Sequence, residues 1–157
     1  MKNFQSLDEL RASLNEEVSF SDWIVVTQDK IDQFAQATGD HQWIHVDPVK
    51  AANGPFKTTI AHGFLTLSMI PQMISSALSF FPTGMAINYG LNKVRFTKTV
   101  PVNAKIRGRF QLLDVEPLTQ PESAKEIGFQ MIWKVTIEQE GEVKPVCIAE
   151  SITRRYY

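Results

Sequence analysis

The side chains able to do proton chemistry near neutral pH are crowded into one part of this 157-residue chain. All three histidines, His41, His45 and His62, lie within two neighbouring stretches, Gly39-Asp40-His41-Gln42-Trp43-Ile44-His45-Val46-Asp47-Pro48 and Ala61-His62-Gly63. Asp40 and His45 stand five apart, and a carboxylate and an imidazole held that close can exchange protons with a shared water. Each residue also has a plain structural reading: Asp40, just after a glycine, could satisfy turn amides, and His45 could be a buried ring bonded to backbone. His41 is expected to face solvent. His62 is expected to help turn the chain into the next helix, with a pocket role as the alternative. Asp40, His41, His45 and Asp47 look superficially like a metal cluster. Zinc, however, wants ligands converging at about 2.0 Å, and Asp47 is committed to a helix cap with no further histidine or cysteine beside it, so no metal is expected.

The elements that must position these residues are legible from local signals. Thr27 is an N-cap, Ile31, Phe34 and Ala35 follow at helical spacing, and Gly39 can take the left-handed conformation that ends a helix. Asp47-Pro48 reads as a cap followed by proline at the first helical position, with Val49 to Ala52 as the helix and Asn53-Gly54 as its stop. Between these helices a non-helical connection is expected, held at both ends. Upstream, Ser6-Leu7-Asp8-Glu9 is a capping-box signature over a short helix with Leu7, Leu10 and Leu14 as its apolar stripe. Val18 to Val26 reads as one strand.

From Thr58 to Asn92 the chain carries no charged side chain. Its core, about Gly63 to Phe80, predicts a helix about 27 Å long at 1.5 Å per residue, bent at Pro71. His62, Gln72 and several serines and threonines make it too polar for an isolated membrane span, and no basic flank marks a cytoplasmic side. A helix without a charged face must instead be covered all round by protein. The second half can cover it: Val94, Phe96 and Val100, then Ile106, Phe110 and Leu112, then Phe129 through Ile137, and a fourth run over Val143 to Thr153 alternate apolar with polar, as antiparallel strands with one buried face do. Asp114 to Lys125 reads as a polar loop and Glu140-Gly141 as a hairpin turn. The expected class is α+β, a long helix wrapped by a curved antiparallel sheet.

Composition sets the outer limits. The length suits one domain over residues 1–157, and 43% apolar residues, 10% aromatic, suffice for a real core. A formal charge of −1 without a basic cluster excludes a nucleic-acid footprint. A single cysteine, Cys147, in an apolar run allows no internal disulfide and reads as a small core residue; with no apolar leader, it points to the cytoplasm.

The stretch from Ala37 to Pro48, followed by Ile60-Ala61-His62-Gly63-Phe64-Leu65-Thr66-Leu67-Ser68, resembles the MaoC-like dehydratases, and within them the NodN-like branch, to which Ser21-Asp22-Trp23 and the Thr27 helix are also similar. The resemblance implies a hot-dog fold and an (R)-specific enoyl-CoA hydratase or 3-hydroxyacyl-CoA dehydratase, with Asp40 and His45 catalytic and the Gly63 backbone N–H as oxyanion donor. Where classical members carry Asn-Pro, this chain has Gln42-Trp43, as NodN-like proteins do. Gln42 and His62 are further candidates for substrate contact. The chemistry agrees independently: hydrating an enoyl thioester needs a base for water, an acid for C2 and donors for the enolate-like oxygen, and a glycine at a helix N-terminus supplies the last. It requires no cofactor. The expected substrate is an acyl thioester of coenzyme A or of acyl carrier protein, and the expected state is a homodimer, because the sheet leaves an edge and the helix an apolar flank. An acyl-CoA thioesterase and a non-catalytic acyl-binding module remain alternatives, since the fold alone does not choose between them.

Overall fold

The computed structural model describes residues 1–81 and 83–157. A short strand β1 (Lys2–Phe4) leads into α1 (Leu7–Ala12), where the Ser6 hydroxyl accepts from the Glu9 N–H and the Glu9 carboxylate accepts from the Gln5 N–H. The single strand expected over 18–26 is two, β2 (Glu17–Phe20) and β3 (Ile24–Val25), both paired to β6 (Lys105–Thr119). Between them Ser21 turns inward to exchange hydrogen bonds with Gly108: its N–H donates to the Gly108 carbonyl and its hydroxyl accepts the Gly108 N–H, each at 2.9 Å.

Helix α2 (Gln28–Thr38) has the ends expected of it. Thr27 accepts from the Lys30 N–H at 3.3 Å, and Gly39 closes the helix at φ 78°. The connection that follows, expected to be non-helical, instead closes one helical turn, α3 (Trp43–Val46). Packing explains the turn: Trp43 lies over Gly54, where a Cβ would come within 2.8 Å of the indole. Asp47 then caps α4 (Pro48–Asn53), accepting from the Lys50 N–H at 2.9 Å.

The central helix departs most from expectation. It is two helices, α5 (Gly63–Ser68) and α6 (Ile70–Ala77), joined at Met69. Pro71 has no N–H to return to the carbonyl four residues back, so it sits in the first turn of a new helix instead of bending an old one. Nor does the helix reach Phe80: Leu78–Phe80 forms β4, parallel to β1 with Phe4 opposite Phe80.

Strands β5 (Met85–Phe96), β6, β7 (Glu126–Gln139) and β8 (Cys147–Tyr156) complete an antiparallel sheet in the order β2-β6-β7-β8-β5, with β3 also on β6. Two boundaries differ from the reading above. The first half of the segment expected to be a loop over 114–125 is strand, because β6 continues to Thr119 with Pro117 opposite Phe129. Strand β5 begins at Met85, well before Val94, and ends at Phe96, leaving Val100 outside it. Glu140-Gly141 falls at the β7–β8 turn as expected, Gly141 at φ 78°, within a link that runs to Val146.

The concave face of the sheet closes on α5 and α6. Ile70, Met73 and Ala77 from α6 join Phe110, Met131, Trp133 and Val135 in one core, and Cys147 is buried there too. Gly108 lets the helix come close, since a Cβ there would meet Met73 Sδ at 3.2 Å. This is the hot-dog arrangement, with its helix in two pieces. Among the described residues, no helix is long and apolar enough to cross a membrane.

Candidate active site

The strip Thr59-Ile60-Ala61-His62 is the spine of the site. It runs extended between α3 and residues 97–102, with the Ile60 N–H donating to the Ile44 carbonyl (3.0 Å), Ala61 N–H to Val100 (2.8 Å) and Val102 N–H to Thr59 (2.9 Å). Against it stands His45 on α3, only 7% exposed. Its Nδ1 lies 2.7 Å from the Ile60 carbonyl, an acceptor, so Nδ1 carries the proton and Nε2 keeps the lone pair. Burial holds the His45 imidazole below the ordinary histidine value, assisted by neighbouring His62 and opposed by the Ile60 carbonyl and the Asp40 carboxylate. A neutral ring with a free Nε2 is a base ready to accept a proton.

His62, 3% exposed, stacks on His45 with ring centroids 3.8 Å apart. Its Nε2 donates to the Asp40 backbone carbonyl at 2.9 Å and lies 3.9 Å from Asp40 Oδ2, while its Nδ1 is buried without a partner. Asp40 itself sits two residues past the end of α2, just after the Gly39 cap, 54% exposed, and its Oδ1 accepts from the Gln42 N–H at 3.4 Å. A carboxylate oxygen of Asp40 and a ring nitrogen of each of His45 and His62 lie within 4.8 Å of one another. Two groups that each bond one water at about 2.8 Å, at a tetrahedral angle, stand roughly 4.6 Å apart, so groups gathered within this limit are close enough to share one. The set fits a metal ion poorly. The two imidazoles are inclined by only 26°, so no single point lies in both ring planes close to both nitrogens.

Beside His45 opens a cleft of about 390 Å³, lined by Ile60, Gly63, Thr66, Phe96 and the edge of the 97–100 segment. Gly63 is the first residue of α5, a helix without a side-chain cap, so its N–H is one of the free donors at the positive end of the helix dipole. Its lack of a Cβ has a packing reason as well: the Phe96 ring occupies that space, 2.9 Å from where a Cβ would stand.

The sequence profile described as the MaoC like domain matches residues 9–130, most of the chain and the whole of this site. The chain belongs to the MaoC-like family. It is 47% identical over 154 residues to 3-hydroxyacyl-thioester dehydratase Z of Mycobacterium tuberculosis, covering 98% of each chain, and 40% identical over 153 residues to nodulation protein N of Rhizobium leguminosarum, covering 94% of this chain and 89% of that one. Among solved structures, an R-hydratase from Pseudomonas aeruginosa superposes with a TM-score of 0.67 at 21% identity, over 89% of this chain and 79% of that one, which is a likeness of fold.

In this MaoC-like chain the residues singled out from sequence gather as follows. Asp40, His45 and His62 converge, and Gly63 shares the cleft wall with His45; Gln42 is exposed, and neither it nor Asp40 nor His62 lines that cleft. Gln42 instead contributes its backbone N–H to Asp40. His41 is exposed, as expected. Sequence reading missed the Ile60 carbonyl that fixes the His45 tautomer, and the Gln28 side chain, which donates to the His45 carbonyl at 2.7 Å. A backbone acceptor has no residue identity to read. The amide had a weak signal, a glutamine in the first turn of α2 beside the cap.

Proposed function

We propose that this protein catalyses (R)-specific hydration of trans-2-enoyl thioesters and the reverse dehydration of 3-hydroxyacyl thioesters. The observation that carries it is His45, buried and neutral, with Nδ1 committed to Ile60, Nε2 left as the acceptor, and a ring nitrogen within 4.8 Å of an Asp40 carboxylate oxygen. The dehydratase named among its relatives, nearly half identical end to end, supports the same reaction class. In hydration, the water oxygen bonds to C3 while the Asp40–His45 pair takes one of its protons. Charge moves to the thioester oxygen, where the Gly63 N–H and the α5 dipole meet it. The pair then returns a proton to C2, so the site ends in its starting state and needs no cofactor. A panel of trans-2-enoyl-CoA substrates, followed by loss of enoyl absorbance, tests the proposal; thiol release without hydration would point to a thioesterase, and no turnover at any chain length would overturn it.

The working unit is a homodimer in this reading. Among the described residues β5 is paired on one side only, to β8, and it exposes Met85, Ile87, Tyr89 and Leu91, with Phe64 of α5 68% exposed. An apolar sheet edge of this kind calls for a partner strand. Light scattering at micromolar concentration should give twice the 17.8 kDa chain mass; a monomer contradicts it.

A further inference from the structure

The Gln28 side chain uses both its N–H donors and its oxygen, on three different segments. Its Nε2 donates to the His45 backbone carbonyl at 2.7 Å and to Asp32 Oδ1 at 2.8 Å, and its Oε1 accepts from the hydroxyl of Thr59, which is 1% exposed. The orientation of the amide is unambiguous, because the opposite one would face an amide oxygen toward a carboxylate and a carbonyl, both pure acceptors. Thr59 immediately precedes Ile60, the residue whose carbonyl takes the His45 Nδ1–H. One amide therefore grips the backbone that carries the His45 ring and the backbone that orients it.

We propose that Gln28 is a positioning residue that, with Thr59, locks His45 in the tautomer with its proton on Nδ1 and its lone pair on Nε2. The proposal rests on the hydratase reading for its effect on turnover, but its effect on the ring stands without it. Both segments are short: α3 is a single turn of four residues, and the 59–62 strip belongs to no strand, being held by the Ile60–Pro101 bridge with its flanking bonds to Val100 and Val102 and by one backbone bond from Ile60 to Ile44. Loosening either one by about an ångström frees Nδ1 from Ile60, and an imidazole without that acceptor reverts to a mixture of tautomers.

Only three histidines are present, so ¹⁵N-histidine NMR on the whole protein, without substrate, reads each ring separately, with exposed His41 as internal reference. In wild type, His45 should show Nδ1 protonated and Nε2 not. Gln28→Met, close in shape but without the amide, should shift His45 toward the mixed tautomer. It should also lower turnover on the order of 10- to 100-fold with KM changed little, the range for a displaced catalytic group. Thr59→Val, a smaller perturbation should Gln28→Met not fold, should move His45 in the same direction, and Thr59→Ser should restore the wild-type spectrum. An unchanged His45 tautomer in a folded Gln28→Met or Thr59→Val protein overturns the proposal. A mixed tautomer with full turnover would uphold the positioning and remove the acid–base role of His45 instead.

Discussion

Asp40→Asn separates chemistry from folding unusually well in this site. The Asp40 carboxylate is more than half exposed and accepts one long bond from the Gln42 N–H, which an asparagine oxygen can accept equally. The expected stability change is within about 0.5 kcal/mol, or about 2 °C in melting temperature for a chain of this size. Turnover should nevertheless fall about 10²- to 10⁴-fold, the worth of a positioned acid–base group, which is about 3 to 5 kcal/mol of barrier. His45→Ala should show the same loss of turnover with a different cost to the fold. It strips the Ile60 carbonyl of its partner in a buried setting, about 1–3 kcal/mol, or about 2 to 12 °C. In the double variant turnover should stay near that of the worse single, because either change already disables the shared water, and melting should stay near that of His45→Ala. Enoyl-CoA hydration and differential scanning fluorimetry on the three proteins decide the matter. Asp40→Asn activity within a few-fold of wild type, or losses that multiply in the double variant, would refute the shared-water mechanism.

Because burial depresses the folded His45 value, that ring adds no pH dependence above the ordinary histidine value of about 6.5, where folded and unfolded chains are both neutral; as pH falls through it the unfolded chain protonates first and stability drops until the folded ring titrates too. Melting curves of wild type and His45→Gln between about pH 8 and about pH 5 should therefore diverge on the acid side, wild type losing more, and the acid limb of kcat/KM should lie below the ordinary histidine value. A parallel pair of melting curves would contradict this. Gly63→Pro and Gly63→Ala both place a Cβ against Phe96, but only proline deletes the N–H. His62, at φ −58° and ψ 138°, already has the conformation a residue before proline prefers, so the backbone should accept the change. Turnover of the proline variant should fall about 10²- to 10³-fold below that of the alanine variant; equal activities would remove Gly63 as an oxyanion donor.

What the sequence made legible was whatever is decided within a few residues. The caps at Thr27 and Asp47 and the glycine at 39 gave α2 and α4 their ends, and the two-residue alternation of Phe129 to Ile137 gave β7 its buried face. Misread elements were decided by distant partners. Leu78–Phe80 has helical neighbours, yet it leaves the helix because β1 lies beside it. Pro117 argued for a loop, but β2 and the residues just before it accompany β6 only as far as Leu112, so past that point β7 is the one described strand partner and a missing N–H on the open side costs nothing. In the site, Asp40 and His45 were candidates by type and spacing, and the fold adds their convergence with His62. Gln28 and Thr59, thirty-one positions apart, have a joint purpose that appears only when α2 folds back over the 59–62 strip.

The pairing of β1 with β4 bears on the order in which the molecule assembles. Phe4 is fully buried, its ring 5.7 Å from Phe80 and 6.5 Å from Trp133, although strand neighbours Lys2 and Leu78 are separated by most of the first half of the chain. Closing so long a loop for a three-residue ladder is unrewarded until α6 and β7 have built the surface that receives the ring. The N-terminal segment should thus be the last piece to dock and the first to open. Until it does, the core around Trp133 lacks the ring that fills it, and a partly folded chain is most exposed to aggregation or protease there.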